Sequence, residues 1–148
     1  MKKLFIYYSL SGNGDNIADY LKDKVYDIRK VITEEELPKN NMLRILIGGY
    51  KAMINYKDKL KKFDYDISSY DEIVIGSPIW NSRLSSPINT VLDNINLDNK
   101  KITFILYSGS GKTNRATDML NKKYSSANII NLCEPKKNIS ELEKVGEL

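Results

Sequence analysis

Histidine is absent from this chain of 148 residues. With it go Ser-His-Asp and Cys-His catalysis and most zinc chemistry, so no metal site is expected. The single cysteine, Cys133, excludes an internal disulfide framework and suits a reducing compartment, which makes the cytoplasm the expected location. Glu134 and Pro135 follow it, without the nearby Arg that a cysteine-nucleophile phosphatase needs, and it reads as a small buried hydrophobe. Long apolar runs are missing too. The longest, such as Ile102–Tyr107, fall far short of the ~20 residues that cross a bilayer, and no membrane partner is expected. Met1-Lys2-Lys3 and five apolar residues stop at Ser9 without a small-residue cleavage site, so a secretory leader is not expected. The formal net charge is +4, but the basic residues are dispersed. The densest patch, Lys57–Lys62, is interrupted by Asp58 and followed by Asp64 and Asp66. It reads as a solvated helix face, and no nucleic-acid partner is expected.

What the chain does have is one segment that carries chemistry. Ser9-Leu10-Ser11-Gly12-Asn13-Gly14-Asp15-Asn16 lies between an apolar run, Leu4–Tyr8, and a helical stretch that begins near Ile17. A strand that turns through hydroxyls and glycines straight into a helix makes an anion cradle. The first amides of the helix lack internal partners, and the dipole leaves their end partly positive. Gly12 and Gly14 allow close approach of the main chain, and Ser9, Ser11 and Asn13 add side-chain donors. The segment has no Lys or Arg and carries the acid Asp15, so a phosphate here is expected to rest on amides and hydroxyls. That favours a monoester over a triphosphate, which needs Mg²⁺ and a lysine.

Strand-like runs recur at Leu4–Tyr8, Val25–Ile32, Glu72–Gly76, Ile102–Tyr107 and Asn128–Leu132. Helical faces lie between them: Ile17, Ala18, Leu21 and Val25; Ile88, Val91, Leu92 and Ile95; Ala116, Met119, Leu120 and Tyr124. Met42–Lys62 is expected to be helical with an interruption at Gly48-Gly49, and Ile139, Leu142 and Val145 suggest a short last helix. Apolar strands alternating with helices imply an α/β domain, 1–148, with a parallel sheet covered on both faces. Ligands of such sheets bind outside the carboxyl ends of the strands. Two further loops therefore matter: Gly76-Ser77-Pro78-Ile79-Trp80-Asn81, which holds the only Trp, and Tyr107-Ser108-Gly109-Ser110-Gly111-Lys112.

These three loops resemble those of the flavodoxins. The family's phosphate signature (hydroxyl, any residue, hydroxyl, Gly-Asn-Thr) matches Ser9 to Asn13 and departs at Gly14, and the small residue one turn on matches Ala18. Gly76–Trp80 with a following Pro resembles the loop that flanks the flavin, and Ser108–Gly111 the third flavin loop. The resemblance implies a doubly wound, three-layer sandwich on a five-stranded parallel sheet of order 2-1-3-4-5. It also implies FMN, with the phosphate on Ser9, Leu10, Ser11, Gly12, Asn13, Gly14 and Asn16. The flavin ring would lie between Ser77, Pro78, Ile79, Trp80 and Asn81 on one side and Ser108, Gly109, Ser110 and Gly111 on the other, stacked on Trp80. The second face is left to Tyr50, Tyr56 or Tyr107. Losing the Thr hydroxyl at Gly14 is expected to weaken phosphate binding by about 1 kcal/mol. Asn81, the non-glycine residue most tolerant of positive φ, is expected beside the flavin N5.

The function implied is low-potential electron transfer between a reductase and an acceptor protein, by a monomer with no catalytic residue of its own. The main alternative is an FMN-dependent NAD(P)H:acceptor oxidoreductase of quinone type on the same fold, usually dimeric. A non-redox FMN-binding interaction module is a third reading. Gly109-Ser110-Gly111-Lys112-Thr113 resembles a nucleotide-binding P-loop but has Leu106 where the first Gly belongs. A response-regulator receiver would need an Asp at the end of the third strand, where Gly76 or Ser77 stands.

Overall fold

Leu4 and Ile6 point to one side of the first strand and Phe5 and Tyr7 to the other, and all four are buried. A strand buried on both faces needs cover above and below, and the computed structural model, which describes residues 1–148, supplies it. The elements in chain order are β1 (Lys3–Tyr7), α1 (Asn13–Lys22), β2 (Asp27–Lys30), α2 (Asn41–Met53), β3 (Glu72–Trp80), β4 (Arg83–Leu84), α3 (Ser86–Asn94), β5 (Lys101–Ser108), α4 (Asn114–Lys123), β6 (Asn128–Cys133) and a 3₁₀ helix (Ile139–Val145). On one face of the sheet, Leu4, Ile6, Ile73, Ile75 and Phe104 pack with Ile88 and Val91 of α3 and Ala116 and Leu120 of α4. On the other, Phe5, Tyr7, Val74 and Ile105 pack with Ile17, Ala18 and Leu21 of α1 and with Leu142 and Val145.

The sheet runs β2-β1-β3-β5-β6, all parallel, with β4 antiparallel on the end of β3. The order departs from the expected 2-1-3-4-5 because the two-residue strand β4 enters the count ahead of the last two parallel strands. It forms because β3 does not stop at Gly76 but continues to Trp80, with Pro78 still opposite Tyr107 of β5. Trp80 then pairs with Arg83 across Asn81 and Ser82, at φ 47° and 61°. Two successive left-handed residues are the geometry of a two-residue hairpin whose twist matches its strands.

Three further expectations are revised. α2 stops at Met53, short of the expected Lys62, and Gly48-Gly49 does not interrupt it, because Gly48 packs on the indole of Trp80, where a Cβ would lie 3.3 Å from the ring. Asn40 caps this helix, its side-chain oxygen accepting from the amides of Met42 and Leu43. The short last helix forms where expected, with 3₁₀ geometry. Val25 does not lie on the buried face of α1: it is 88% exposed at φ 65°. The amides of Val25 and Tyr26 bond back to the carbonyls of Lys22 and Leu21, closing the helix in a motif that usually places Gly at this left-handed position. A β-branched side chain is strained there, and no burial is lost by removing it. Val25→Gly should therefore stabilise the fold by about 1 kcal/mol, read as a higher urea midpoint at unchanged slope.

Candidate functional site

β1, β3 and β5 are neighbours in the sheet, so the three loops singled out in the sequence emerge side by side at one carboxyl edge. The first loop is organised by Ser9. Its Oγ accepts from the amides of Gly12 (3.2 Å) and Gly14 (3.0 Å), drawing the chain into a tight turn in which Gly12 has φ 94°. Gly12 is also the N-cap of α1 and offers no side-chain cap. The amides of Ser11, Asn13 and Asp15 donate to nothing within the protein, and the side-chain oxygen of Asn16 is buried without a partner. A half-exposed loop with free donors at a helix N-terminus is a cradle for an anion.

The acid in this loop does not oppose an anion. Asp15 Oδ1 accepts from Tyr7 Oη (2.8 Å) and pairs with Lys30 Nζ (2.6 Å). Burial alone pushes this carboxyl up, but the Lys30 ammonium and the Tyr7 hydroxyl together outweigh it and hold it below the ordinary value. Nor is the loop without a cation. Lys136, in the turn after β6, donates its amide to Asn13 Oδ1 (3.1 Å) and its ammonium to the Ser11 carbonyl (3.3 Å). A Cβ at Gly12 would lie 3.0 Å from Lys136 Nζ. The expectation of a phosphate site built only on amides and hydroxyls missed this residue. Its one signal in the sequence was a Lys shortly after the carboxyl end of the last strand.

Gly14, the departure from the flavodoxin signature, is imposed by packing. A Cβ there would stand 2.7 Å from Tyr107 Oη, 2.7 Å from the Tyr7 ring and 2.9 Å from Ser9 Cβ. Tyr107 is buried beneath the loop, its hydroxyl donating to the Tyr8 carbonyl, and desolvation pushes that hydroxyl well above the usual tyrosine range. Tyr107 thus cannot cover a flavin. Tyr50 and Tyr56, on and just after α2, are exposed.

At the second loop, Pro78, Ile79 and Trp80 are half-buried and Asn81 is exposed. The Ser77 side chain faces inward: its Oγ accepts from the Ser85 amide (3.1 Å) and donates to the Pro78 carbonyl (2.8 Å). It fastens the hairpin to the start of α3 and is not turned to the edge. Trp80 packs against Gly48, and the ring of Tyr8 lies perpendicular to it with ring centres 5.7 Å apart. Burial, with the charge of Asp58 behind it, pushes the Tyr8 hydroxyl up to about 12, so it stays protonated at neutral pH. In the third loop Ser108 Oγ accepts from the Gly111 amide (2.9 Å), Ser110 Oγ accepts from the Lys112 amide, and Gly111 has φ 69°. A Cβ on Gly109 would meet nothing within 4 Å, so the backbone is open there.

A doubly wound parallel sheet with an anion cradle after its first strand and backbone loops after the next two has the flavodoxin-like fold. Proteins described as flavoproteins from Bacteroides eggerthii (TM-score 0.72, 21% identity, 98% of each chain) and Bacteroides uniformis (TM-score 0.72, 19% identity, 96% of this chain and 97% of that one) share it. So does a flavoprotein in complex with FMN from Lactobacillus acidophilus (TM-score 0.67, 23% identity, 94% of this chain and 97% of that one). No curated protein matches the chain. The model of the NADPH-dependent FMN reductase family matches residues 1–141, and the chain belongs to that family. The flavodoxin resemblance therefore holds at the level of fold, while the family is that of the reductases.

Proposed function

We propose that this protein is an FMN-dependent oxidoreductase that takes a hydride from a reduced nicotinamide and delivers it, with a proton, to a small acceptor of quinone type. The observation that carries it is the row of three loops on β1, β3 and β5 within a chain of the FMN reductase family. The residues fit FMN. The free amides of Ser11, Asn13 and Asp15 hold the phosphate, Lys136 balances its charge, and Asn16, with its amide turned over, adds a donor. The hairpin Pro78–Asn81 and the loop Ser108–Gly111 flank the flavin ring, with Trp80 as its aromatic wall. When bound, FMN supplies a two-electron carrier that the side chains lack. The protein's own part is to hold it, with no histidine required.

Anaerobic mixing of the FMN-loaded protein with NADPH or NADH tests the reading. Bleaching of the visible flavin band by at least one nicotinamide at catalytic rates is expected. Reduction by dithionite alone would point to an electron carrier instead, and failure to retain FMN would leave a non-redox module.

A further inference from the structure

A second concavity opens on the side of the sheet that α3 and α4 cover. Its walls come from β4, α3, α4 and the turn after α2, and no residue of Ser9–Asn16, Ser77–Asn81 or Ser108–Gly111 lines it. It is therefore separate from the cradle and the two loops beside it. Its volume is about 290 Å³, at the lower end of the range of roughly 300–1,000 Å³ for small-molecule sites. Leu84, Leu92, Met119, Leu120 and Tyr124 form its apolar part.

The polar part is cationic and unpaired. Arg83 lines the pocket; its Nε is buried without a hydrogen-bond partner, and no carboxylate pairs with its guanidinium. A desolvated donor of this kind is costly until an acceptor reaches it. Lys123, a second cation of the wall, lies over the Tyr124 ring, 5.3 Å from its centre, and has no acidic partner. The remaining charges cancel, because Lys57 is taken by Asp93. A neutral hydrocarbon would leave Arg83 Nε without an acceptor, and a phosphate monoester would leave the aliphatic wall uncovered. The planar fork of a single guanidinium matches a carboxylate.

We propose that this pocket binds a small monocarboxylate with an aliphatic body, the carboxylate on Arg83 and the chain against Leu84, Leu92 and Met119. Arg83 pairs with Trp80 across the hairpin, so a carboxylate held there fixes the strand that closes it. The site stands whether or not flavin binds. Calorimetric titration of the purified chain with octanoate, and with octanamide as its uncharged counterpart, tests it. Octanoate should bind saturably, at least about tenfold more tightly than octanamide, and equally well with and without saturating FMN. Arg83→Met, which keeps an apolar stem and removes the charge, should weaken octanoate at least about tenfold and leave octanamide unchanged. If that variant loses its circular dichroism, Met119→Glu decides: it sets a like charge on an exposed wall residue and should abolish octanoate binding. Octanoate without saturable heat into the millimolar range overturns the assignment. So does equal affinity for the two ligands, or either folded variant binding octanoate as wild type does. Competition between octanoate and FMN overturns it as well, by moving octanoate to the three loops.

Discussion

Riboflavin should bind this protein about a thousandfold more weakly than FMN. The two differ only in the phosphate, and the cradle is built for it: three unpaired amides, a helix N-terminus and the Lys136 ammonium. Hydrogen bonds to a charged group contribute about 1.5–3 kcal/mol each, so three amides supply at least 4 kcal/mol, or three powers of ten. Lys136 adds less because it is exposed. Lys136→Ala should weaken FMN by at most about 1 kcal/mol, leave riboflavin unchanged and remove part of the salt dependence of FMN binding. Calorimetric titration with both ligands at two ionic strengths measures all of this. Equal affinity for the two flavins in the wild type would refute the phosphate role of the first loop.

Gly14→Thr should destabilise the fold by about 2–3 kcal/mol and weaken FMN binding, although it restores the flavodoxin signature. Read from the signature alone, the threonine would add a hydroxyl donor and about 1 kcal/mol of affinity. The packing around Gly14 reverses the sign. Tyr107 is held by its bond to the Tyr8 carbonyl, and Tyr7 is stacked flat on Phe5 with ring centres 5.0 Å apart, so neither gives way to a Cβ. Gly14→Ala separates the two effects, since it adds the Cβ without the hydroxyl and should be nearly as damaging. Urea unfolding of both variants supplies the comparison. A threonine variant as stable as wild type, with tighter FMN binding, would show that the loop opens to admit the side chain.

Local pattern carried most of the fold. The strands at Lys3–Tyr7, Lys101–Ser108 and Asn128–Cys133 fall on the strand-like runs of the sequence. α1, α3 and α4 bury Ile17, Ala18, Leu21, Ile88, Val91, Ala116 and Leu120 as the 3.6-residue spacing marks them, while Leu92, Ile95 and Tyr124 are half-buried and Val25 and Met119 are exposed. The hairpin at Trp80 was not legible, because Gly76, Ser77 and Pro78 read as the end of a strand while pairing with β5 carries the strand through them. At the site, the cradle could be read because its residues are consecutive. The orientation of Ser77 was not legible, because a hydroxyl in a loop looks the same in the sequence whether it faces outward or, as here, Ser85. Lys136 was invisible because its contacts span more than 120 residues and leave no periodicity.

That same separation orders events during synthesis. The cradle residues Ser9–Asn16 leave the ribosome well before Lys136, which lies more than 120 residues further along the chain. At roughly 5–20 residues per second the interval is on the order of ten seconds. Throughout it, the first loop has its glycines and hydroxyls but neither the neighbouring strands that flank it nor its counter-charge. In the proposed function, tight FMN loading therefore waits until β6 and the turn that carries Lys136 have docked.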